Sequence, residues 1–248
     1  MRRRSGSAVA SSSEAGAVFI STRPCLPYAL DARDIPLPRE LRPPLHWRAF
    51  LRGFWVSPRR HPDYGWAWIT RFLMNLGNAL LLLYLLYYLT DAVGLSDHEA
   101  EDAVFALTAV YGVCTVVTAY VGGRWSDRLR RRKVFVIWSG LITAAALQLF
   151  ALVPTMPAAD VAAVVLGIGF GAYTAVDFAL ITQVLPEAGD RGKDLGVINI
   201  ANTLPQVLAP AIAAAVLWAG LGYVGLYTLA AVVSVLGSIL VVRIRGVA

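Results

Sequence analysis

Six stretches of this 248-residue chain are apolar over about the length of one bilayer crossing. One crossing takes about 20 apolar residues of α-helix, and such windows occur at about 64 to 90, 103 to 122, 134 to 153, 158 to 185, 196 to 219 and 222 to 242. Only 15% of the residues are charged and 57% are hydrophobic, whereas soluble domains are about 25% charged. Because lipid cannot satisfy exposed backbone groups, these windows cross as helices. The sequence therefore predicts an all-α polytopic membrane protein with six transmembrane helices.

Apart from Arg71, the basic residues lie in the chain ends and in alternate connections between the windows. Eleven of the 22 precede residue 61, Arg71 lies just inside the first window, six occupy 124 to 133, two are Arg191 and Lys193, and two are Arg243 and Arg245. The connections between them carry none, and the first of these, 91 to 102, is acidic. Since short cytoplasmic loops keep Lys and Arg, we expect both termini to be cytoplasmic in a multi-pass protein of the cell (inner) membrane. This strict alternation argues against the alternative that the basic excess binds nucleic acid.

The first 63 residues differ in composition from the rest and predict a cytoplasmic tail that is partly disordered, followed by a membrane domain over 64–246. Ser, Ala, Gly and Pro dominate the tail, so little of it can build a core. Ala15 to Ile20 is too short an apolar run for a secretory signal. Residues near 45–56 interleave aromatics with Arg, which indicates an interfacial amphipathic segment or, alternatively, a plain linker.

Polar side chains inside the first window share one helical face. Arg71, Asn75 and Asn78 are spaced at i, i+4 and i+7. Charges and amides are costly in hydrocarbon, so each is expected to face a partner, a cavity or the headgroups. Arg71 lies about 10 Å inside the helix and either snorkels to the surface or projects into a cavity.

Asp177 is the only acid well inside a window. A carboxyl in a low-dielectric cavity can take up and release a proton during a transport cycle, so Asp177, with Arg71, is the candidate for proton coupling. Two structural alternatives remain: an ion pair between Asp177 and Arg71, or a helix cap near the cytoplasmic side.

In the fifth window Asn199, Asn202 and Gln206 again share one face. With Asn75 and Asn78 they are candidate substrate-binding residues for a polyhydroxylated solute, although amides also join membrane helices to one another. Three glycines in the fourth window at 167, 169 and 171 indicate close helix packing. Pro205 and Pro210 are expected to kink the fifth helix.

Enzymatic and metal-binding chemistry is not indicated by the pattern of reactive residues. Cys25 and Cys114 are the only cysteines, and His46, His61 and His98 lie in predicted tail or loop segments. They form no arrangement typical of a catalytic triad, a zinc site or a phosphate loop. We therefore expect no catalytic activity, metal or cofactor.

Residues 123–133, between the second and third windows, read Gly-Arg-Trp-Ser-Asp-Arg-Leu-Arg-Arg-Arg-Lys. This segment resembles the cytoplasmic signature of the major facilitator superfamily, G-x-x-x-D-R-x-G-R-R. Five residues match it: Gly123, Asp127, Arg128, Arg131 and Arg132. Arg130 replaces the second glycine. The resemblance covers about residues 35 to 246, and the segment Pro186 to Pro210 is similar to bacterial glycoside and sucrose-type proton symporters.

The resemblance implies a secondary transporter built from two six-helix halves, with the solute held between them. This chain has six windows preceded by a Pro- and Arg-rich stretch, which resembles the C-terminal half after its central loop. We therefore expect transport of a small, sugar-like solute, coupled to a proton or cation, with a second six-helix half from the same or another polypeptide. In the family this signature braces the other half. The alternatives are a truncated non-transporting fragment, whose first 33 or so residues would be a foreign start, and a membrane scaffold or interaction subunit.

Overall fold

The computed structural model describes residues 62–129, 132–184 and 191–244, and every regular element in these ranges is helical. The predicted tail and its interfacial segment near 45–56 lie outside the described residues. The six helices are α1 (Pro62–Tyr88), α2 (Asp97–Leu129), α3 (Arg132–Leu152), α4 (Met156–Val184), α5 (Arg191–Trp218) and α6 (Gly222–Leu240). Each is long and apolar enough to cross a membrane, which confirms the six-helix prediction.

α1 and α6 are each followed directly by a short turn of another helix type. A π-helical turn, Leu89–Val93, extends α1 and stops at Gly94, whose φ of 83° lies in the left-handed region that favours glycine. A short 3-10 turn, Val241–Arg243, ends α6. The start of α2 has one half of a capping box, because Glu99 Oε2 accepts from the backbone N–H of Ser96 at 3.1 Å, and also from its Oγ at 2.6 Å.

The second helix is longer than its apolar window predicts. The window covers 103 to 122, whereas α2 begins at Asp97 and ends at Leu129. Its 33 residues span about 50 Å at 1.5 Å per residue, against a hydrocarbon core of about 30 Å. Residues 123–129, which the windows place in the connection between the second and third spans, therefore continue α2 as helix. A hydropathy window detects the membrane-embedded part of a helix, and charged residues continue α2 beyond it.

The six helices pack as two related groups of three. α2 packs along α4 as α5 packs along α1, and α3 packs on α4 as α6 packs on α1. α3 and α6 also pack on each other, and α1 touches α4 over a shorter stretch. Exchanging α1–α3 with α4–α6 therefore reproduces the pattern of contacts. Since three crossings separate α1 from α4, the two groups have opposite orientations, which is the arrangement of an inverted repeat.

Glycines allow the closest of these approaches, as the sequence predicted for α4. A Cβ placed on Gly167 would lie 2.6 Å from the Cβ of Cys114 in α2, and one on Gly169 would lie 2.8 Å from the backbone nitrogen of Thr143 in α3. Gly171 lies against the backbone of Thr115. The three glycines are thus packing residues for α2 and α3, because real side chains do not approach so closely.

Aromatic rings fill the end of the bundle where α1 finishes. Tyr88 packs edge-on against Phe150, Tyr223 and Tyr227 at centroid distances of 5.2 to 5.9 Å. Tyr223 Oη donates to Asp91 Oδ2 at 2.5 Å and thereby joins the π-helical turn to the start of α6. These contacts hold α1, α3 and α6 together at this end.

The packing role of Gly171 can be tested with Gly112 as the matched control. We expect Gly171→Ala to lower the stability of the purified protein by about 1–3 kcal/mol, the usual cost of overpacking, because the added methyl would meet the backbone of Thr115. Gly112→Ala meets no atom within 4 Å and should be neutral or stabilising, since alanine favours helix over glycine. Thermal unfolding in detergent measures both, and equal melting temperatures would contradict the assignment.

Candidate functional site

A charged and polar cluster joins α1, α4 and α5. The guanidinium of Arg71 on α1 pairs with the carboxylate of Asp177 on α4, with Nη1 3.1 Å from Oδ2. The same guanidinium donates through Nε to Oδ1 of Asn202 on α5, at 2.6 Å. One side chain therefore connects three helices, through partners that lie 106 and 131 residues after Arg71 in sequence.

Three more side chains complete this group. Tyr173 Oη donates to the other carboxylate oxygen of Asp177, Oδ1, at 2.9 Å. Asn75 Nδ2 donates to Asn202 Oδ1 at 3.2 Å and to the carbonyl of Arg71 at 2.9 Å. Asn202 Nδ2 donates to Asn199 Oδ1 at 3.2 Å. The six residues form what we call the Arg71 cluster: Arg71, Asn75, Tyr173, Asp177, Asn199 and Asn202.

Burial makes this ion pair a costly feature. The side chains of Arg71 and Asp177 are 7% and 8% exposed. Removing two charges from water is costly, and their attraction offsets that cost only where the remaining hydrogen-bonding groups are also satisfied. The second donor to Asp177 from Tyr173 and the second acceptor for Arg71 on Asn202 meet this condition. The two charges are thus stable together, and loss of either one destabilises the protein.

The structure selects between the alternatives that the sequence left open for these two residues. Arg71 is buried within the bundle, so it takes the inward alternative and does not snorkel. Asp177 makes the ion pair with Arg71 that was one of its two structural alternatives. A structural pair and a coupling residue are compatible, because the same contact can be made and broken.

Not all the predicted substrate residues join the cluster. Asn78 lies one turn beyond Asn75 on α1 and accepts a hydrogen bond from Tyr111 Oη of α2, at 3.1 Å. Gln206 is exposed on α5, on the face that also exposes Asn199 and Thr203. The structure thus separates the five predicted residues into Asn75, Asn199 and Asn202 in the cluster, Asn78 beside α2, and Gln206 on an open face.

Sequence reasoning did not select Tyr173 of the Arg71 cluster or two other side chains, Tyr111 and Trp68, that make hydrogen bonds between helices. Tyr173 precedes Asp177 by one turn, so helical spacing alone could have identified it. Tyr111 has polar neighbours at helical spacing, Thr108 and Thr115, but only the packing of α2 beside α1 brings it to Asn78. Trp68 donates its Nε1–H to the carbonyl of Val197 on α5, at 3.0 Å.

Proline does not interrupt α5, which is continuous across Pro205 and Pro210. Proline removes one backbone donor from a helix and leaves a carbonyl one turn earlier without its usual partner. Tyr84 Oη of α1 donates to the carbonyl of Pro210 at 3.3 Å and so joins the two helices near these positions.

The signature residues lie at helix ends. Gly123 and Arg128 belong to the last turns of α2, and Arg132 opens α3. Arg132 Nη1 donates to the carbonyl of Ala179 near the end of α4, at 2.9 Å. A Cβ on Gly123 would make only ordinary contact with Ala175, at 3.8 Å, so the closest approach of α2 to α4 falls at Gly171. The side chain of Asp127 and all of Arg131 lie outside the described residues.

Comparison with known proteins agrees with this architecture. The sequence model of the Major Facilitator Superfamily matches residues 67–247, most of the chain. The chain belongs to the Major Facilitator Superfamily. This confirms the resemblance of the signature, and the six helices are consistent with one half of a transporter of this superfamily.

Two individual relatives share parts of the chain. Myo-inositol transporter 3C of Cryptococcus neoformans var. grubii serotype A is 33% identical over 145 residues, 58% of this chain and 23% of the relative. A crystal structure of the peptide transporter POT in complex with alafosfalin superposes with a TM-score of 0.61 and 22% identity, covering 73% of this chain and 38% of that one. The second likeness shows the shared fold. The chain thus spans less than half the length of either superfamily relative, and both relatives are transporters, not enzymes.

A double-mutant cycle tests whether the Arg71–Asp177 pair acts as a unit. We expect Arg71→Gln and Asp177→Asn each to destabilise the protein by about 3–5 kcal/mol, because each leaves one buried charge unpaired. The double variant should be more stable than either single one, since it buries no charge. Asp160→Asn, which alters an exposed acid on the same helix, is the control and should be within about 0.5 kcal/mol. Thermal unfolding measures all four, and additive losses would contradict the coupling.

Proposed function

We propose that this chain forms one half of a secondary transporter that moves a small, sugar-like solute across the membrane in a proton- or cation-coupled cycle. The observation that carries the proposal is the buried Arg71–Asp177 pair, held between α1 and α4 and linked to α5 through Asn202. Intramembrane charges are expensive, and they commonly mark ion or proton pathways.

Proton coupling follows from what a proton would do to this pair. Protonation of Asp177 removes the negative charge that faces Arg71 at 3.1 Å. Asn202 Oδ1 would still accept from the guanidinium, and an oxygen of a bound solute is the acceptor that the proposal adds. Loading of a proton and loading of a solute would thus favour each other, which is the requirement for symport.

The chemistry of the amides supports a hydroxylated solute. Asn75 Oδ1 and Asn199 Nδ2 make no hydrogen bond to another described residue. One acceptor and one donor are therefore available at the edge of the Arg71 cluster. A hydroxyl group both donates and accepts, so it can satisfy either of them. Asn78 and Gln206 extend the same chemistry along α1 and α5. The name of the myo-inositol relative, a transporter for a cyclic polyol, points in the same direction.

The proposal includes a second six-helix half because two of the six helices are only slightly buried. α2 and α5 have the smallest buried fractions of the six helices, and α5 exposes Asn199, Thr203 and Gln206 along one face. We propose that this surface meets a second six-helix half, with the present chain as the C-terminal half and the signature residues Gly123, Asp127, Arg128, Arg131 and Arg132 bracing the partner. Both termini would be cytoplasmic in the cell (inner) membrane.

One observation favours the scaffold alternative. Asn75 and Asn202 already bond to each other and to Arg71, so they serve as contacts between helices whatever else they do. A membrane interaction subunit, or a non-transporting fragment, would need these contacts only for stability.

Uptake by the double variant separates these functions. In proteoliposomes containing the chain with its second half, we expect an imposed pH gradient to drive uptake of radiolabelled myo-inositol or sucrose. Arg71→Gln with Asp177→Asn should reach a normal membrane level, because no charge is left unpaired, yet lose gradient-driven uptake. Asp160→Asn is the control and should retain it. Uptake by the double variant at the unmodified rate would remove the pair from the mechanism, and no uptake of any solute by the unmodified protein would favour a scaffold or fragment.

Cysteine cross-linking tests the proposed contact surface. After replacement of the native cysteines by serine, we expect Gln206→Cys to form a cross-linked species in membranes under mild oxidation, either with a second copy or with a cysteine-bearing partner half. Val242→Cys, exposed in the 3-10 turn that follows α6, is the control and should remain uncross-linked. Electrophoresis without reductant detects the product, and equal cross-linking at both positions would contradict a specific α5 surface.

A further inference from the structure

A groove of about 300 Å³ runs between α3 and α6, away from the Arg71 cluster. It is lined by Ala144, Ala145 and Gln148 of α3 and by Ala231, Val232 and Val235 of α6. We propose that this groove binds one acyl chain of an ester-linked phospholipid, and that the amide of Gln148 donates to an ester carbonyl of the same lipid. The inference is independent of the proposed transport function.

The groove faces lipid, because α3 and α6 contribute no residue to the Arg71 cluster and expose large apolar side chains. Trp138 of α3 is 62% exposed, and Leu236 and Ile239 of α6 are each 51% exposed. The alanines contribute to the depression, because their side chains are the smallest of those that line it. A water molecule there would lack the two to four polar partners that it needs, so hydrocarbon is the occupant that fits.

Gln148 indicates a whole phospholipid and not merely a passing chain. It is half-buried, and its side chain makes no hydrogen bond within the described ranges of the chain. An amide without a partner is costly in hydrocarbon. Gln148 lies four residues before the end of α3 at Leu152, or about 6 Å along the helix axis. The 21 residues of α3 span about 31 Å, nearly the thickness of the hydrocarbon core.

The ester groups of a phospholipid lie at the boundary of that core. A chain that enters the groove from the Leu152 end would therefore bring an ester carbonyl within reach of the Gln148 amide. Both walls of the groove would contact the chain below this point, at Ala144 and Ala231. Two kinds of contact, apolar along the chain and one hydrogen bond at its head, distinguish this position from ordinary lipid contact elsewhere on the bundle.

A photoreactive lipid tests the proposal directly. The purified protein is delipidated and incubated with a diester phosphatidylcholine that carries a diazirine in one chain, then irradiated and digested. We expect cross-links concentrated on peptides of α3 and α6. Ala145→Trp should fill the groove from an exposed position and lower the retained lipid about tenfold, which corresponds to 1.4 kcal/mol. Ala106→Trp places the same side chain on an exposed position of α2 and should retain the lipid.

A second variant tests the hydrogen bond and remains informative if Ala145→Trp folds poorly. Gln148→Leu keeps the volume of the side chain and should weaken retention of the diester lipid roughly fivefold, the usual effect of one hydrogen bond. It should leave retention of the matching diether lipid, which has no ester carbonyl, unchanged. Uniform labelling of all six helices would show ordinary lipid contact only and overturn the proposal. Protection of the groove by a second copy, seen as a change of oligomeric state in Ala145→Trp, would also overturn it.

Discussion

The pairing of one guanidinium with one carboxylate inside the bundle constrains the positions of three helices. Arg71 cannot be left without an acceptor in a low-dielectric interior, and neither can Asp177 be left without a donor. Their observed distance of 3.1 Å therefore requires α1 and α4 to lie side by side at this level. Asn202 extends the same requirement to α5, since its carbonyl oxygen accepts from both Arg71 and Asn75. Apolar packing is non-directional, so these polar contacts supply a register that leucines and alanines could not.

The pair also lies where the two groups of three helices meet. α1 and α4 are equivalent helices in the repeat, and they touch over a shorter stretch than α3 and α6 do. The large α3–α6 contact, where Gly140 lies against Ser238, does not include Arg71 or Asp177 and would change little with protonation. The α1–α4 contact depends on charge. A proton on Asp177 would thus weaken one connection between the groups and spare the other, which is the asymmetry that a rocking or gating motion needs.

Much of this architecture follows from the sequence, for reasons that particular residues illustrate. Six apolar windows predict six helices because a bilayer permits few other spanning structures, and the glycines at 167, 169 and 171 predict close packing because only glycine fits there. The spacing of Arg71 and Asn75 predicts a shared face. The ion pair with Arg71 was one of two structural alternatives for Asp177. The sequence could not choose between them, because nothing close in sequence to either residue determines its partner. Tyr111 could not be assigned at all, because its contact with Asn78 depends on how α2 packs beside α1. The apolar window did not indicate the true ends of α2, because hydropathy detects only the membrane-embedded part of a helix.

The six helices are buried to different extents, and this difference bears on the polar face of α5. A six-helix bundle with a complete internal core would bury each helix to a similar extent, yet α2 and α5 are far less buried than the other four. α2 and α5 are equivalent helices in the repeat, so their low burial is a property of the repeat itself. On α5 the open face carries amides and a hydroxyl, Asn199, Thr203 and Gln206, which hydrocarbon would not favour. Such a face is stable beside another polar protein surface or a water-filled path. The proposed second half would supply such a surface, and the Arg71 cluster lies at the edge of that face.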